Sequence, residues 1–382
     1  MKVAFLCGAL EPGKDGVGDY TDRLAGELAR QGHQVGLIAI HDAYVEEEIQ
    51  NFAESDNVQY SRLRLPASWS PEQRFERAEK WLELFNPEWL SVQFVPFSFQ
   101  KKGLIFGLKK KLTRLTQNRK CHLMFHELWV GMKDDSSWKM RIWGWVQRQL
   151  IQDLIYGLKP EVMQTQSQLY QAQLAKYKHA VGYLPLFGNI AVSQKVSIPN
   201  TRSLDANVSP LVMIHFGMIY PNAPIAIFAD EVSHYAKKHQ VEIILKIVGR
   251  SGNEQELWIA EWKKAGLQME LLGEQSPEII SRHMASASVG IATTAYALIE
   301  KSGSVAALRE HHLRVICVSQ EWRAGGMTHE NIVSNIFEYK RGNFQSFIEN
   351  TRDFAPAPNV ADVARQFMDS LRKAEASICK KR

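Results

Sequence analysis

"MKVAFLCGALEPGKDGVGDYTDRLAGELARQGHQVGLIAI", residues 1–40, decides the fold. Met1 to Cys7 is a continuous apolar run that stops at Gly8, as a strand buried on both faces does. A glycine-bearing loop follows, and then Tyr20, Leu24 and Leu28 recur at helical spacing. This spacing predicts a helix capped by Asp19, with Asp22 in its first turn and Gly32 at its end. Val35–Ile40 supplies the next apolar strand. The stretch reads as one βαβ unit.

Outward from it, short apolar runs recur at Trp89–Phe94, Cys121–Phe125, Val162–Thr165 and Val181–Leu184, with helical stretches between them. That alternation predicts an α/β protein with a parallel sheet covered on both faces. Residues 188–210 lack periodicity and are rich in Ser, Asn and Pro, which suits a linker. The pattern then restarts with Leu211–Phe216, Ile243–Val248, Met269–Leu272, Val289–Ala292 and Val315–Val318. Two doubly wound domains are expected, 1–195 and 205–360, facing each other across a cleft. A terminal helix over 361–382 is expected to pack back on the first. In open α/β sheets ligands sit beyond the carboxyl ends of the strands, so the loops there are where chemistry belongs.

Composition narrows the classes. A chain of 382 residues with 45% hydrophobic and 23% charged residues is an ordinary globular protein, and a net charge of +5 permits an anionic partner. Four cysteines lie far apart without a CxxC, and the twelve histidines form no HExxH or other metal spacing, so no metal site is expected. No leader segment and no run of eighteen apolar residues is legible, and a cytoplasmic location is expected, with a peripheral place at the inner membrane face left open.

Several loops at strand ends carry candidate chemistry. "EKSGSVAALREHHLRVI", residues 300–316, turns from a polar loop into a helix and then a strand. Ser302, Gly303 and Ser304 read either as an ordinary helix cap or as a loop whose N–H groups hold a phosphate, with Lys301 adding a full charge. "LMFHELWVG" ends a strand with His126 and Glu127, a base and an acid where a cleft is expected. Gly13, Gly16 and Gly18 do not form G-x-G-x-x-G, although Asp42 follows the second strand as a ribose ligand would, so an NAD-dependent oxidoreductase is a rival reading. "KKGLIFGLKKKLTRLTQNRK", residues 101–120, carries eight basic residues and no acidic one. It reads as a sheet-packing helix with a solvated basic face or as a contact with anionic lipid, to which Trp138, Trp143 and Trp145 could add. No RNA or DNA module is legible, and no nucleic-acid partner is expected.

"DGVGDYTDRLAGELARQGHQV" resembles the first βαβ segment of the GT-B glycosyltransferases, family 4 above all, and "IVGRSG", "LLGEQSPEIISRHMASASVGIATT" and "EKSGSVAALREHHLRVICVS" follow in the order of that fold's donor domain. The resemblance spans nearly the whole chain. It implies two Rossmann-like domains, a nucleotide-diphosphate sugar as donor substrate, no required cofactor and retention of anomeric configuration. The acceptor (glycan, lipid-linked or small molecule) stays open. It implies sugar or base roles for His126, Glu127 and Glu300. Donor contacts would come from Gly16, Gly18, Arg250, Gly273, Glu274, Lys301, Ser302, Gly303 and Ser304. The chain departs from the family pattern where its second motif glutamate would stand: that position is Leu308. Glu310, two residues on, is rotated by roughly 200° around a helix. The Arg and Lys that usually grip the diphosphate are absent from "HFGMIYPNAP". A non-catalytic sugar-nucleotide or glycan-binding protein on the same fold is the alternative.

Overall fold

A computed structural model describes residues 1–55, 58–193, 210–325, 336–350 and 357–379. The chain divides into two compact units. One is Met1–Pro185 with Ala324–Gly326 and Val360–Arg382, and the other is Leu186–Arg323 with Met327–Asn359.

The first unit is built on strands β1 (Lys2–Cys7), β2 (Gln34–Asp42), β3 (Ile49–Ser55), β4 (Val58–Pro66), β5 (Trp89–Phe94), β6 (Lys120–Phe125), β7 (Val162–Thr165) and β8 (Gly182–Tyr183). They form one sheet in the order β3-β4-β2-β1-β5-β6-β7-β8, parallel throughout except for the antiparallel pairing of β3 with β4. The central strands are apolar because helices cover both faces: Val3 to Cys7 are all buried. Its helices are α1 (Gly16–Arg30), α2 (Pro71–Phe85), α3 (Pro96–Phe99), α4 (Leu108–Thr116), α5 (Trp138–Leu158) and α6 (Gln168–Ala175).

Helix α1 starts earlier than the apolar spacing suggests. Asp15, not Asp19, is its cap: the Asp15 carboxylate accepts from the N–H groups of Val17 and Gly18, at 2.9 and 3.3 Å. Asp19 instead accepts from Gly13 N–H at 3.0 Å and closes the loop. The basic segment is also shorter as a helix. Gly103 and Gly107 adopt positive φ, so α4 begins only at Leu108 and buries Leu108, Leu112 and Leu115.

The second unit has strands β9 (Leu211–Phe216), β10 (Ile243–Val248), β11 (Gln268–Gly273), β12 (Val289–Ala292), β13 (Arg314–Cys317) and β14 (Ile336–Glu338). They form a parallel sheet in the order β11-β10-β9-β12-β13-β14. Its helices are α7 (Ile225–His239), α8 (Gln255–Lys264), α9 (Pro277–Ser286), α10 (Gly303–Glu310) and α11 (Phe344–Glu349). Alternate residues of β9 feed opposite cores: Met213 joins Phe228, Trp258, Trp262 and Phe344, whereas Ile214 joins Val248, Met284 and Leu308.

The linker expected over 188–210 starts as part of this unit. Gly188 N–H donates to Glu310 Oε1, and a Cβ on Gly188 would lie 2.6 Å from Ala307 Cα, so only glycine fits against α10. The linker's residues 194–209 lie outside the described residues.

The last helix, α12 (Val360–Cys379), belongs to the first unit. Phe367 meets Phe5 and His122 at ring-centroid distances of 5.6 and 5.0 Å. Glu375 accepts from Trp89 Nε1 at 2.9 Å and pairs with Lys120.

Candidate functional site

In the second unit, the carboxyl ends of β9 and β12 and the start of α10 line an open pocket. Its wall is rich in hydroxyls. Thr293 and Thr294 follow β12, and Ser302 and Ser304 come from the α10 start, with Met218 and Tyr220 opposite. Gly217, at φ 91°, lets the loop after β9 approach α10 so closely that a Cβ there would lie 2.9 Å from Ser304 Oγ. The same loop is tied to Thr293, whose hydroxyl donates to Met218 O at 3.2 Å and accepts from Tyr220 N–H at 3.0 Å.

Ser302 caps α10. Its backbone is extended and its hydroxyl accepts from Val305 N–H at 3.3 Å, so the capping reading of this serine holds in the structure. Ser304 is half-buried and lines the pocket. Gly303 is the first helical residue, and a Cβ on it would meet only Asn189, at an ordinary 3.5 Å. Lys301 and Glu300 end a 3₁₀ turn, Tyr296–Lys301, immediately before the cap. Leu308 is buried and lines the pocket where the family pattern has a carboxylate. Glu310 points away and holds Gly188.

His215, at the penultimate position of β9, lies between two carbonyls, with Nδ1 3.2 Å from Ile291 O and Nε2 3.1 Å from Gly217 O. Burial pushes its pKa down, against the raising effect of those carbonyls. Arg250 and Glu274, which follow β10 and β11, pair with one another: Arg250 Nη2 donates to Glu274 Oε2 at 3.0 Å, and both are exposed. A ligand at that edge must share or displace this pair. Gly273 ends β11 at φ 62°, with its carbonyl accepting from Gly249 N–H at 2.7 Å.

In the first unit, Gly16 and Gly18 lie in the first turn of α1 and not in a loop. A Cβ on Gly18 would sit 2.4 Å from Ala9 O, so the chain's own backbone needs that glycine; Gly16 faces open space. Asp42 is fully buried. Its carboxylate accepts from Leu10 N–H, Tyr44 N–H and Arg64 Nε at 3.1, 3.0 and 2.7 Å. An acid so occupied is not presented to a ribose, which removes the basis of the dinucleotide reading.

His126 directly follows β6 and is buried. Nε2 lies 2.8 Å from Gln93 Oε1 and Nδ1 lies 3.3 Å from Gln166 Nε2, while the Tyr20 ring meets it edge-on at 5.0 Å. Both ring nitrogens are engaged by side chains of the protein. Glu127 beside it is half-buried, with its N–H toward Phe94 O. The loop that follows is clamped by α5: Val130 N–H donates to Gln147 Oε1 at 2.9 Å, and a Cβ on Gly144 would lie 1.9 Å from Val130 O.

Four of the eight basic residues of 101–120 have carboxylate partners on other elements of the unit. Lys109 meets Asp153 and Lys111 meets Glu72, Arg114 meets Glu79, and Lys120 meets Glu375. Trp143 Nε1 donates to Lys102 O at 3.0 Å, whereas Trp138, Ile142 and Trp145 are exposed. Among the described residues no cluster of three or more His, Cys, Asp or Glu could hold a metal ion, and no helix is long and apolar enough to cross a membrane.

The partners of His126 were not legible as site residues, since Gln93 and Gln166 sit in runs that read only as strand ends. Thr293 and Thr294 were visible only as the end of a strand.

The sequence matches no family model and no curated protein. Solved structures do resemble the chain. The lipopolysaccharide outer core galactosyltransferase WaaB in its apo form is 12% identical over 99% of both chains, with a TM-score of 0.53. HepE of Anabaena in complex with UDP and glucose is 16% identical over 100% of this chain and 99% of its own, at 0.52. UDP-GlcNAc 2-epimerase from Neisseria meningitidis bound to UDP-GlcNAc is 10% identical over 98% and 100%, at 0.53. The chain has the GT-B architecture of these proteins, with two Rossmann-like units.

Proposed function

We propose that the protein is a glycosyltransferase that takes a sugar from a nucleotide-diphosphate donor held in the pocket of the second unit. The observation that carries this reading is the set of hydroxyls lining the pocket beside the N-terminus of α10, those of Thr294, Ser302 and Ser304, with Thr293 holding the loop opposite them. A helix N-terminus carries about half a positive charge, and hydroxyls can donate to phosphate oxygens without the charge of an arginine. The pocket lining itself contains no Lys or Arg, so Lys301 beside the cap is the residue that brings a full charge. In the transfer, the bond between the anomeric carbon and the diphosphate oxygen breaks and the diphosphate keeps the electron pair. An acceptor oxygen bonds the carbon and gives up its proton, while the positive helix end stabilises the departing oxygen.

The structures that resemble the chain include a galactosyltransferase and an epimerase bound to UDP-GlcNAc, so the fold leaves the reaction class open. Leu308 at the carboxylate position and the fully engaged ring of His126 favour a second reading: a protein that binds sugar nucleotides without transferring the sugar. Incubation with UDP- and GDP-sugars and a panel of glycan and lipid-linked acceptors separates the two. Acceptor-dependent release of nucleoside diphosphate supports transfer; tight binding without release supports the second reading. Retention of configuration follows from the family resemblance and is tested by the anomeric form of the product. An acceptor carried on an anionic membrane would be met by the exposed Lys101, Lys102 and Lys110 together with Trp138, Ile142 and Trp145.

A further inference from the structure

One face of the first sheet carries polar residues where a buried parallel sheet ordinarily carries aliphatic ones. Ser91 and Gln93 on β5, His122 on β6 with His126 just past it, and Gln164 on β7 with Gln166 just past it are each at most 3% exposed. Alternation along a strand puts each pair on the same side, and β6 lies between β5 and β7. Phe367 of α12 covers this side at His122.

The six groups and Ser370 form one continuous chain. From the loop end inward, Gln166 Nε2 lies 3.3 Å from His126 Nδ1, and His126 Nε2 lies 2.8 Å from Gln93 Oε1. Gln93 Nε2 donates to Ser91 Oγ at 2.7 Å, and Ser91 Oγ lies 2.7 Å from His122 Nδ1. His122 Nε2 lies 3.1 Å from Gln164 Oε1, and Gln164 Nε2 donates to Ser370 Oγ at 3.0 Å. Ser370 Oγ then donates to Gln366 O, one turn back in α12, at 2.8 Å.

Each group has only so many protons to give, and this count fixes the direction. Ser370 spends its proton on a carbonyl, so it accepts from the Gln164 amide. The Gln164 oxygen must then accept from His122 Nε2–H, which leaves His122 Nδ1 to accept from the Ser91 hydroxyl. Ser91 in turn accepts from the Gln93 amide, and the Gln93 oxygen accepts from His126 Nε2–H. Running every bond the other way would make Ser370 donate to Gln164 and so forfeit its bond to Gln366 O, leaving that direction one bond poorer at the helix end.

We propose that this chain is a positioning device that fixes His126 as a single neutral tautomer, with its proton on Nε2 and its lone pair on Nδ1, and ties that ring to the C-terminal helix. Ser91, Gln93, His122, Gln164 and Ser370 are thereby positioning residues for the loop 126–131, although only His126 stands at its edge. Burial keeps the inner ring, His122, neutral far below its usual range, with a pKa lowered to about 3, so the middle of the chain does not reverse on acidification. The one basic atom that His126 keeps is Nδ1, which faces the Gln166 amide and comes free only if that amide turns away. A role for this atom in sugar transfer rests on the transferase reading; the tautomer does not.

The test uses the full chain with ¹⁵N-labelled histidine rings and long-range proton–nitrogen correlation spectra, with the two resonance sets identified by their loss in His126→Gln and His122→Gln. At about pH 8 both rings are expected to show a protonated Nε2 and a bare Nδ1, and His122 to keep that form down to about pH 5. Ser91→Ala cuts the chain at its centre and is expected to give His126 a mixture of tautomers. Ser370→Ala, on the half-buried outer end, is expected to do so more weakly, and Ser370→Thr to restore the single form. This second pair keeps the question answerable if Ser91→Ala fails to fold. If donor-dependent nucleotide release is found, Ser91→Ala is expected to lower kcat about tenfold with the donor KM unchanged. A His126 ring protonated on Nδ1 in the wild type overturns the proposal, as does a His126 spectrum indifferent to both Ser91→Ala and Ser370→Ala. Absence of any nucleotide release would count against the transferase reading and leave the tautomer result standing.

Discussion

The loop after β6 in the first unit and the loop between β12 and α10 in the second both lie beyond the carboxyl ends of parallel strands, yet they solve opposite problems. At the first, polar side chains are buried and satisfy one another: His126, Gln93, Ser91, His122 and Gln164 pass hydrogen bonds in series. At the second, polar side chains line an open pocket: Thr294 and Ser304 face its space, beside Ser302 at the helix cap and Thr293, which is tied to the loop after β9. A closed network fixes geometry, because leaving any member unpaired in a buried site is costly. Open hydroxyls at a helix N-terminus are groups that a ligand can satisfy. In this reading the second unit binds and the first unit positions.

The comparison breaks most severely at the closed region. His122→Ala removes a fully buried ring and leaves Ser91 and Gln164 unpaired, so a loss of about 3–5 kcal/mol is expected in denaturant unfolding. A loss within 1 kcal/mol would mean that the network is not under the constraint described.

Acid should act on the same region next. The folded pKa of His122 lies at about 3, below the ordinary value near 6.5, so the unfolded chain takes up this proton first as the pH falls. Stability that is fully present above pH ~6.5 is therefore lost progressively down to pH ~3, by up to about 1.4 kcal/mol per pH unit for this group. His215, buried in the second unit with its pKa also lowered, adds to the slope. Unfolding measured against pH should be flatter in His122→Gln than in the wild type. Equal slopes would place the acid sensitivity elsewhere.

The open region should tolerate more. Ser302→Ala removes the α10 cap and is expected to cost about 1 kcal/mol of stability by thermal or chemical unfolding. Gly303→Ala should be neutral or stabilising by up to about 1 kcal/mol, because the residue is helical and its Cβ meets only Asn189 at ordinary contact distance. It should also leave nucleotide affinity unchanged. Weakened nucleotide binding in Gly303→Ala would support the close-approach role that the sequence suggested.

How much of this was legible in the sequence follows from what each signal depends on. Long apolar runs such as Val3–Cys7 marked the parallel strands because burial on both faces demands them. The edge pair β3 and β4 went unread, since "IQNFAES" and "VQYSRLRLP" mix polar and apolar residues. The start of α1 was misplaced by four residues because Asp15 and Asp19 are equally good caps on composition, and only the loop's path chooses between them. At the candidate sites the sequence offered His126 and Ser302–Ser304 as residues of the right chemistry. It could not show that the ring of His126 is enclosed, because its partners lie 33 and 40 positions away in the chain. Nor could it show that Asp42 is committed to Arg64, or that Arg250 is committed to Glu274.

Calorimetric titration of nucleoside diphosphates, the matching nucleosides and NAD(H) into the wild type and Ser304→Ala tests the binding half of the comparison most directly. Ser304 lines the pocket without capping the helix, so its removal takes one hydroxyl from the ligand and little from the fold. The account predicts that one diphosphate binds the wild type and that Ser304→Ala weakens it by about tenfold or more, in keeping with a lost hydrogen bond to a charged group. The parent nucleoside should bind both forms equally weakly, and NAD(H) neither. Equal diphosphate affinity in the two forms, or binding of NAD(H) in place of any nucleoside diphosphate, would contradict it.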